Sequence, residues 1–170
     1  DAYHKTMPII KIGITKEVQS TSSASTLFRG NSCATKLMSA FTRLTGRPYL
    51  HSVLKSLIEE VQNDPNGYEV DPNKAKDQDV GANMEKLQAT SKKFLLAILN
   101  SIDQCPLPFR YLAAHLQSEV VKRFPESRHT SVGGFIFLRF FCPAILSPDS
   151  CGLVTSTLGK EARRPLILVA

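Results

Sequence analysis

Apolar residues recur at steps of three and four along most of this 170-residue chain, and that spacing restricts its fold more than any other feature. It places apolar side chains on one face of an α-helix, whereas a half-buried strand needs strict alternation. The sequence predicts five clear helices: from the caps Asn31 and Ser32 to Gly46, from Pro48 to the N-D-P-N-G turn at 63–67, from Asp79 to the C-P-L-P turn at 105–108, from that turn to Phe124, and from about 130 to 142. We therefore expect an all-α fold in which antiparallel helices pack as a bundle.

The pattern is less regular outside these helices. The run I-I-K-I-G-I-T at 9–15 is rich in β-branched residues, but no second strand is predicted to pair with it, so a helix is favoured. Residues 63–78 predict a loop. The last residues, 161–170, are helical in pattern and carry no terminator. We expect a single domain over residues 1–170 that is truncated at both ends.

Composition and charge exclude several functional classes. The net charge of +6 is spread along the chain, so no nucleic-acid groove is predicted. Cysteine and histidine do not show the spacing of a metal site. The longest apolar run is too short to cross a bilayer, and the chain does not start with a signal-peptide pattern. We expect a cytoplasmic protein that does not insert into a membrane.

One arginine, Arg139, interrupts that apolar run, G-G-F-I-F-L-R-F-F-C-P-A-I-L at 133–146. The helix at about 130–142 is apolar on nearly all sides, which predicts burial at the centre of the bundle. Burying a guanidinium is costly unless acceptors replace its hydration. The sequence therefore predicts that acceptor groups replace the hydration of Arg139, and a pairing with a carboxylate is one alternative.

A second arginine, Arg29, lies in the segment S-T-L-F-R-G-N-S, which leads into a predicted helix. Leu27 and Phe28 can anchor this loop on the core, and Gly30 permits an unusual φ or a close backbone approach. Arg29 is then left to project outward. On spacing alone, an ordinary exposed arginine in a helix-entry loop is the simpler interpretation.

Self-contained catalysis has little support in the sequence. None of the G-x-S-x-G, P-loop, H-E-x-x-H or dinucleotide-binding motifs is present. Cys33, beside a helix start, is either a reactive thiol or, more simply, a small packing residue.

Taken together, T-L-F-R-G-N-S at 26–32 and F-L-R-F-F-C-P-A-I-L-S-P at 137–148 resemble the GTPase-activating domain of Ras GTPase-activating proteins, in particular the neurofibromin type. The resemblance spans most of the chain, from about Lys16 to Ala170. It includes three further motifs: E-V-D-P at 69–72, R-F-P at 123–125 and R-P-L-I-L-V-A at 164–170.

This resemblance implies an all-α helical bundle that stimulates GTP hydrolysis by a GTP-bound, Ras-type small GTPase. It implies that Arg29 is an arginine finger inserted into the partner's nucleotide site, and that Arg139 stabilises the finger loop through its main-chain carbonyls. The residues expected to contact the partner are Phe28, Gly30, Asn31, Leu138, Pro143 and Ala144. GTP and Mg²⁺ would be bound by the partner, so the chain needs no cofactor and is not an enzyme in its own right.

The alternative is a non-catalytic helical scaffold that binds a small GTPase without stimulating hydrolysis. Such a scaffold does not need an arginine at position 29, so the finger motif favours activation. By the same resemblance, recruitment to the inner face of a membrane would depend on other domains.

Overall fold

A computed structural model describes residues 2–75, 78–155 and 158–170, and within those ranges the chain forms helices and loops without a strand. The α-helices are α1 Ala2–Ser20, α2 Cys33–Asn63, α3 Pro72–Ala75, α4 Val80–Asn100, α5 Leu107–Arg123, α6 Arg128–Ile136, α7 Cys142–Leu146 and α8 Lys160–Val169. A π-helical segment, Phe137–Phe141, joins α6 to α7. The prediction of an all-α fold is confirmed.

Helix α1 confirms the helix predicted at 9–15. Ile10, Ile14 and Val18 are spaced by four residues and are almost completely buried. They pack in one cluster with Leu112 and Leu116 of α5. Burial of one helical face therefore outweighs the strand propensity of β-branched residues.

Helix α2 corrects the prediction of a break at Gly46 and Pro48, because it runs through both residues. A Cβ atom at Gly46 would lie 2.5 and 2.6 Å from two ring carbons of Phe140, so glycine serves a close side-chain approach and does not end the helix. Pro48 has no N–H for the carbonyl of Leu44. Leu44 is 79% exposed, so water can hydrate that turn and the helix continues.

The stretch from Pro125 to Leu146 corrects two expectations. Its 22 residues are long and apolar enough to cross a bilayer by length and composition alone, a criterion that the core helix of a folded protein also meets. The stretch is not buried on all sides: Phe135 and Phe140 are buried, whereas Leu138 is 56% exposed. Arg139 lies in its π-helical segment.

The chain divides into two compact units. The first comprises the residues up to Arg47 and Cys105–Phe140, and the second comprises Pro48–Gln104 and Phe141–Ala170. The first unit has a continuous apolar core made by Ile10, Ile14, Val18, Leu27, Phe28, Met38, Phe41, Leu112, Leu116, Val120 and Phe135. The prediction of one domain over the whole chain stays a prediction.

The second unit is held by polar contacts as well as by apolar packing. Arg164 of α8 donates to both carboxylate oxygens of Glu69, at 2.8 and 2.9 Å. The third predicted helix starts at Asp79 as expected, and the side chain of Asp79 caps α4 by accepting from the backbone N–H groups of Gly81 and Ala82. The predicted loop at 63–78 contains the short helix α3, which is a correction; residues 76 and 77 lie outside the described ranges.

Candidate functional site

The loop between α1 and α2 carries Arg29 and is anchored from within. Leu27 and Phe28, which precede the arginine, are only 5% and 4% exposed and belong to the core of the first unit. Phe28 has φ +56°, the only positive φ of a non-glycine residue in the described ranges. That conformation is unfavourable for an aromatic residue, so surrounding contacts must maintain it. The sequence indicated that Gly30 permits an unusual φ or a close backbone approach, and the structure has the positive φ at Phe28 instead.

Arg29 is exposed, as predicted, and follows directly on the buried Phe28. Its backbone N–H donates to the carbonyl of Thr26 at 3.2 Å. Within the described ranges its guanidinium makes neither a hydrogen bond nor an ion pair, although such pairs are plentiful elsewhere. A permanent positive charge is thus presented to solvent on a loop whose base is fixed.

Arg139 reaches this loop from the π-helical segment. Its Nη2 donates to the carbonyl oxygens of Arg29 at 2.5 Å and Gly30 at 2.9 Å, with a longer contact to Phe28 at 3.4 Å. Its Nη1 lies 3.5 Å from Oδ1 of Asn31. These carbonyls receive a charged donor instead of a helical partner, which accounts for an arginine within an apolar run.

The end of the loop is fixed by the cap of α2. The hydroxyl of Ser32 accepts the N–H of Thr35 at 3.0 Å, so Ser32 is the N-cap that the sequence predicted at 31 or 32. The hydroxyl of Thr35 in turn lies 2.9 Å from the carbonyl of Gly30. A Cβ atom at Gly30 would meet nothing within 4 Å, so the space beside that residue is open. Cys33 is exposed, and the packing role suggested for it is wrong.

A carboxylate that sequence reasoning did not identify also contacts the loop. Glu17, in the last turns of α1, accepts the backbone N–H of Phe28 at 3.2 Å through Oε1. Its Oε2 accepts the hydroxyl of Ser32. Glu17 belongs to an ordinary-looking K-E-V-Q segment, and its partners are 11 and 15 residues away, so no local sequence signal indicated it.

A surface depression of about 420 Å³ lies beside the loop. Phe28 and Arg29 of the loop line it together with Ser131 and Gly134 of α6 and Leu138 of the π-helical segment. All of these residues belong to the first unit. The exposed arginine therefore borders a concave, partly apolar surface.

The structure brings most of the predicted site residues together but not all of them. Arg29, Arg139 and Asn31 are in direct contact through the loop. Pro143 and Ala144 belong to the second unit. The side chain of Ala144 is fully buried and that of Phe28 is nearly so. The expectation that these residues contact a partner stays a prediction.

Comparison with known proteins adds an independent observation. A sequence profile of the family described as "GTPase-activator protein for Ras-like GTPase" matches residues 9–86 and 75–170. The chain is 40% identical over 170 residues to "Probable Ras GTPase-activating-like protein ngap" of Dictyostelium discoideum, with 98% of this chain and 19% of that protein covered. It is 36% identical over 172 residues to "Ras GTPase-activating protein 3" of Mus musculus, with 99% of this chain and 21% of that protein covered. A "GTPase-activating protein" of Drosophila melanogaster is 36% identical over 167 residues, with 96% of this chain and 14% of that protein covered. The chain thus spans about a fifth or less of the length of these relatives.

Proposed function

Because the chain belongs to the family of GTPase-activator proteins for Ras-like GTPases, we propose that it stimulates GTP hydrolysis on a GTP-bound, Ras-type small GTPase by supplying Arg29 in trans. One observation carries this proposal. Arg29 presents an exposed guanidinium, without a partner among the described residues, on a loop whose adjacent carbonyls accept hydrogen bonds from Arg139. A loop fixed in this way holds the charge in place before the partner arrives.

The chemistry of GTP hydrolysis explains the choice of arginine. Negative charge is redistributed over the phosphoryl oxygens and the leaving oxygen as the transferred phosphoryl group separates. A guanidinium offers a permanent positive charge and a planar fork of donors that matches these oxygens, whereas lysine offers a single point charge. Arg29 would therefore stabilise the transition state more than the ground state, which increases the rate more than the affinity.

The remaining site residues have supporting roles in this proposal. The main-chain carbonyl of Arg29 would help to orient the partner's water-positioning glutamine, while the open space at Gly30 leaves room for the partner's backbone. Leu138 and Asn31 are exposed near the depression and would contact the partner. GTP and Mg²⁺ would be bound by the GTPase, and Arg29 would reach the nucleotide only in the complex.

Two finer assignments are part of the proposal. The motifs around Arg29 and Arg139 favour a domain of the neurofibromin type within the family. We also propose a cytoplasmic location, with recruitment to the inner face of a membrane through other domains.

The decisive experiment is a single-turnover GTP hydrolysis assay with the 170-residue chain and a panel of GTP-loaded Ras-type GTPases. We expect Arg29→Ala to lower the stimulated hydrolysis rate by about 10³- to 10⁵-fold, which is the effect known for arginine fingers on Ras. Its affinity for the GTPase should change by less than about tenfold. Arg43→Ala, at another exposed arginine of the first unit, is the matched control and should behave as the parent.

The outcomes separate the two candidate functions. Full stimulation by Arg29→Ala would refute the finger assignment. Binding of the parent chain to the GTPase without a change in hydrolysis rate would establish the non-catalytic scaffold instead.

A further inference from the structure

The finger loop, residues 28–32, is held by two side chains of opposite charge. One donates to its carbonyl oxygens, and the other accepts from its donor groups. Arg139 has only donors, and it takes the carbonyls of Arg29 and Gly30. Two donors of the loop, the N–H of Phe28 and the hydroxyl of Ser32, both bond to Glu17. We propose that Glu17 is a positioning residue for Arg29, equal in importance to Arg139. This inference rests on the proposed function.

A carboxylate is suited to this position because it accepts at two oxygens and donates at none. Oε1 of Glu17 accepts the backbone N–H of Phe28 at the start of the segment, and Oε2 accepts the hydroxyl of Ser32 at its end. Both ends of the five-residue segment 28–32, which includes Arg29, are therefore bonded to the same carboxylate. Glutamine has a single acceptor oxygen, so it would keep both contacts only if its NH2 group donated to the Ser32 hydroxyl, and neither bond would then be charge-assisted.

The bond to Phe28 coincides with the strained point of the loop. A φ of +56° is unfavourable for an aromatic residue, and it turns the chain so that Phe28 points inward while Arg29 points outward. Such a conformation persists only where the surroundings enforce it. The carboxylate of Glu17 and the core around the ring provide that enforcement from two directions.

Glu17 is itself firmly placed. Its neighbours on α1, Ile14 and Val18, are 0% and 3% exposed in the core of the first unit. The guanidinium of Arg123, at the end of α5, donates to the carbonyl oxygens of Val18 at 3.3 Å and of Gln19. Arg123 of α5 therefore caps the last turn of α1, and the backbone that carries the Glu17 carboxylate is held in place.

The first test measures catalysis and affinity separately, by single-turnover hydrolysis at saturating chain and by titration of the GTPase. Loss of two hydrogen bonds to a charged group lowers the maximal rate of Glu17→Ala by about tenfold or more, with affinity within about threefold of the parent. The maximal rate of Glu17→Gln lies between those of the parent and Glu17→Ala. Gln19→Ala, an exposed side chain on the same helix, keeps the parent rate.

The second test needs no GTPase. Trypsin cleaves after arginine, so cleavage between Arg29 and Gly30 reports how often the loop opens. Mass spectrometry follows that cut, and Arg29→Ala, which lacks the site, identifies it. Glu17→Ala and Glu17→Gln increase the cleavage rate at this bond, whereas Gln19→Ala does not.

Each outcome supports or overturns the inference. If Arg29→Ala is inactive while both Glu17 variants match the parent in rate and in cleavage, Glu17 has no positioning role and the finger assignment survives. If Arg29→Ala is as active as the parent, the proposed function fails. A further loss when Glu17→Ala is added to Arg29→Ala would show that Glu17 acts on general stability, since residues that act through one another are not additive. The isosteric Glu17→Gln keeps both tests available if the alanine variant does not fold.

Discussion

Replacing Arg139 with alanine tests whether this residue acts on the rate through the finger loop. The change removes the donors to the carbonyls of Arg29 at 2.5 Å and Gly30 at 2.9 Å. The contacts to Phe28 at 3.4 Å and Asn31 at 3.5 Å are long and contribute little. The expected effect is therefore that of two hydrogen bonds to a charged donor.

The magnitude follows from the exposure of the site. Because water can hydrate the freed carbonyls, we take about 1 kcal/mol for each bond, which is below the range of about 1.5–3 kcal/mol for hydrogen bonds to charged groups. About 2 kcal/mol of lost loop order corresponds to a rate that is roughly 30-fold lower. This loss is much smaller than the one expected for Arg29→Ala, because the loop can still visit the productive conformation.

The assay is single-turnover hydrolysis at saturating chain, with urea unfolding as a check on folding. Arg139→Lys keeps the charge but replaces the planar fork with a point charge, so its rate should lie between those of the parent and Arg139→Ala. The double variant with Arg29→Ala should be no slower than Arg29→Ala alone. A multiplicative loss in the double variant, or a parent rate in Arg139→Ala, would refute the reasoning.

Two further predictions concern stability. Gly46→Ala places a Cβ atom 2.5 Å from the ring of Phe140 and should lower the free energy of unfolding by about 1–3 kcal/mol in urea titrations. The control Gly133→Ala adds a Cβ atom with nothing within 4 Å and should be neutral or slightly stabilising. Equal effects of the two substitutions would contradict the close-contact explanation. Hydrogen bonds from Arg164 and from the backbone of Asp71 lower the pKa of Glu69 to about 2, so its contribution to stability is complete above its ordinary pKa and is lost as the pH falls towards 2. Glu69→Gln should therefore flatten the fall in thermal midpoint over that acidic range, and an unchanged pH profile would show that the pair does not contribute.

The sequence predicted the helical class because burial of one helical face depends on a local spacing, as in α5, where Leu112, Leu116 and Val120 are buried. It also predicted that Arg139 needs acceptors, from the cost of a charge in an apolar run. It placed a break at Gly46, because a glycine that ends a helix and one that admits a ring look alike until Phe140 is in place. Such long-range contacts have no signature in a local pattern.

The site shows the same division between local and long-range information. The exposed position of Arg29 followed from the apolar residues before it and the cap after it. The role of Glu17 could not be predicted, because its partners are a backbone N–H and a hydroxyl on a loop whose conformation the sequence does not specify. By residue type, Gly30 permits an unusual φ or a close backbone approach, whereas the structure has the positive φ at Phe28, where core contacts outweigh intrinsic preference.

Phe28 limits how far this chain can be stabilised by design. Glycine at position 28 would relieve the backbone strain but would remove a buried aromatic ring, a loss of about 3–5 kcal/mol. Asparagine tolerates the same φ but would place an amide in the apolar core. No single substitution satisfies both the backbone and the interior at this position. Thermostable variants of this chain will therefore accumulate changes elsewhere and retain a strained phenylalanine immediately before the arginine.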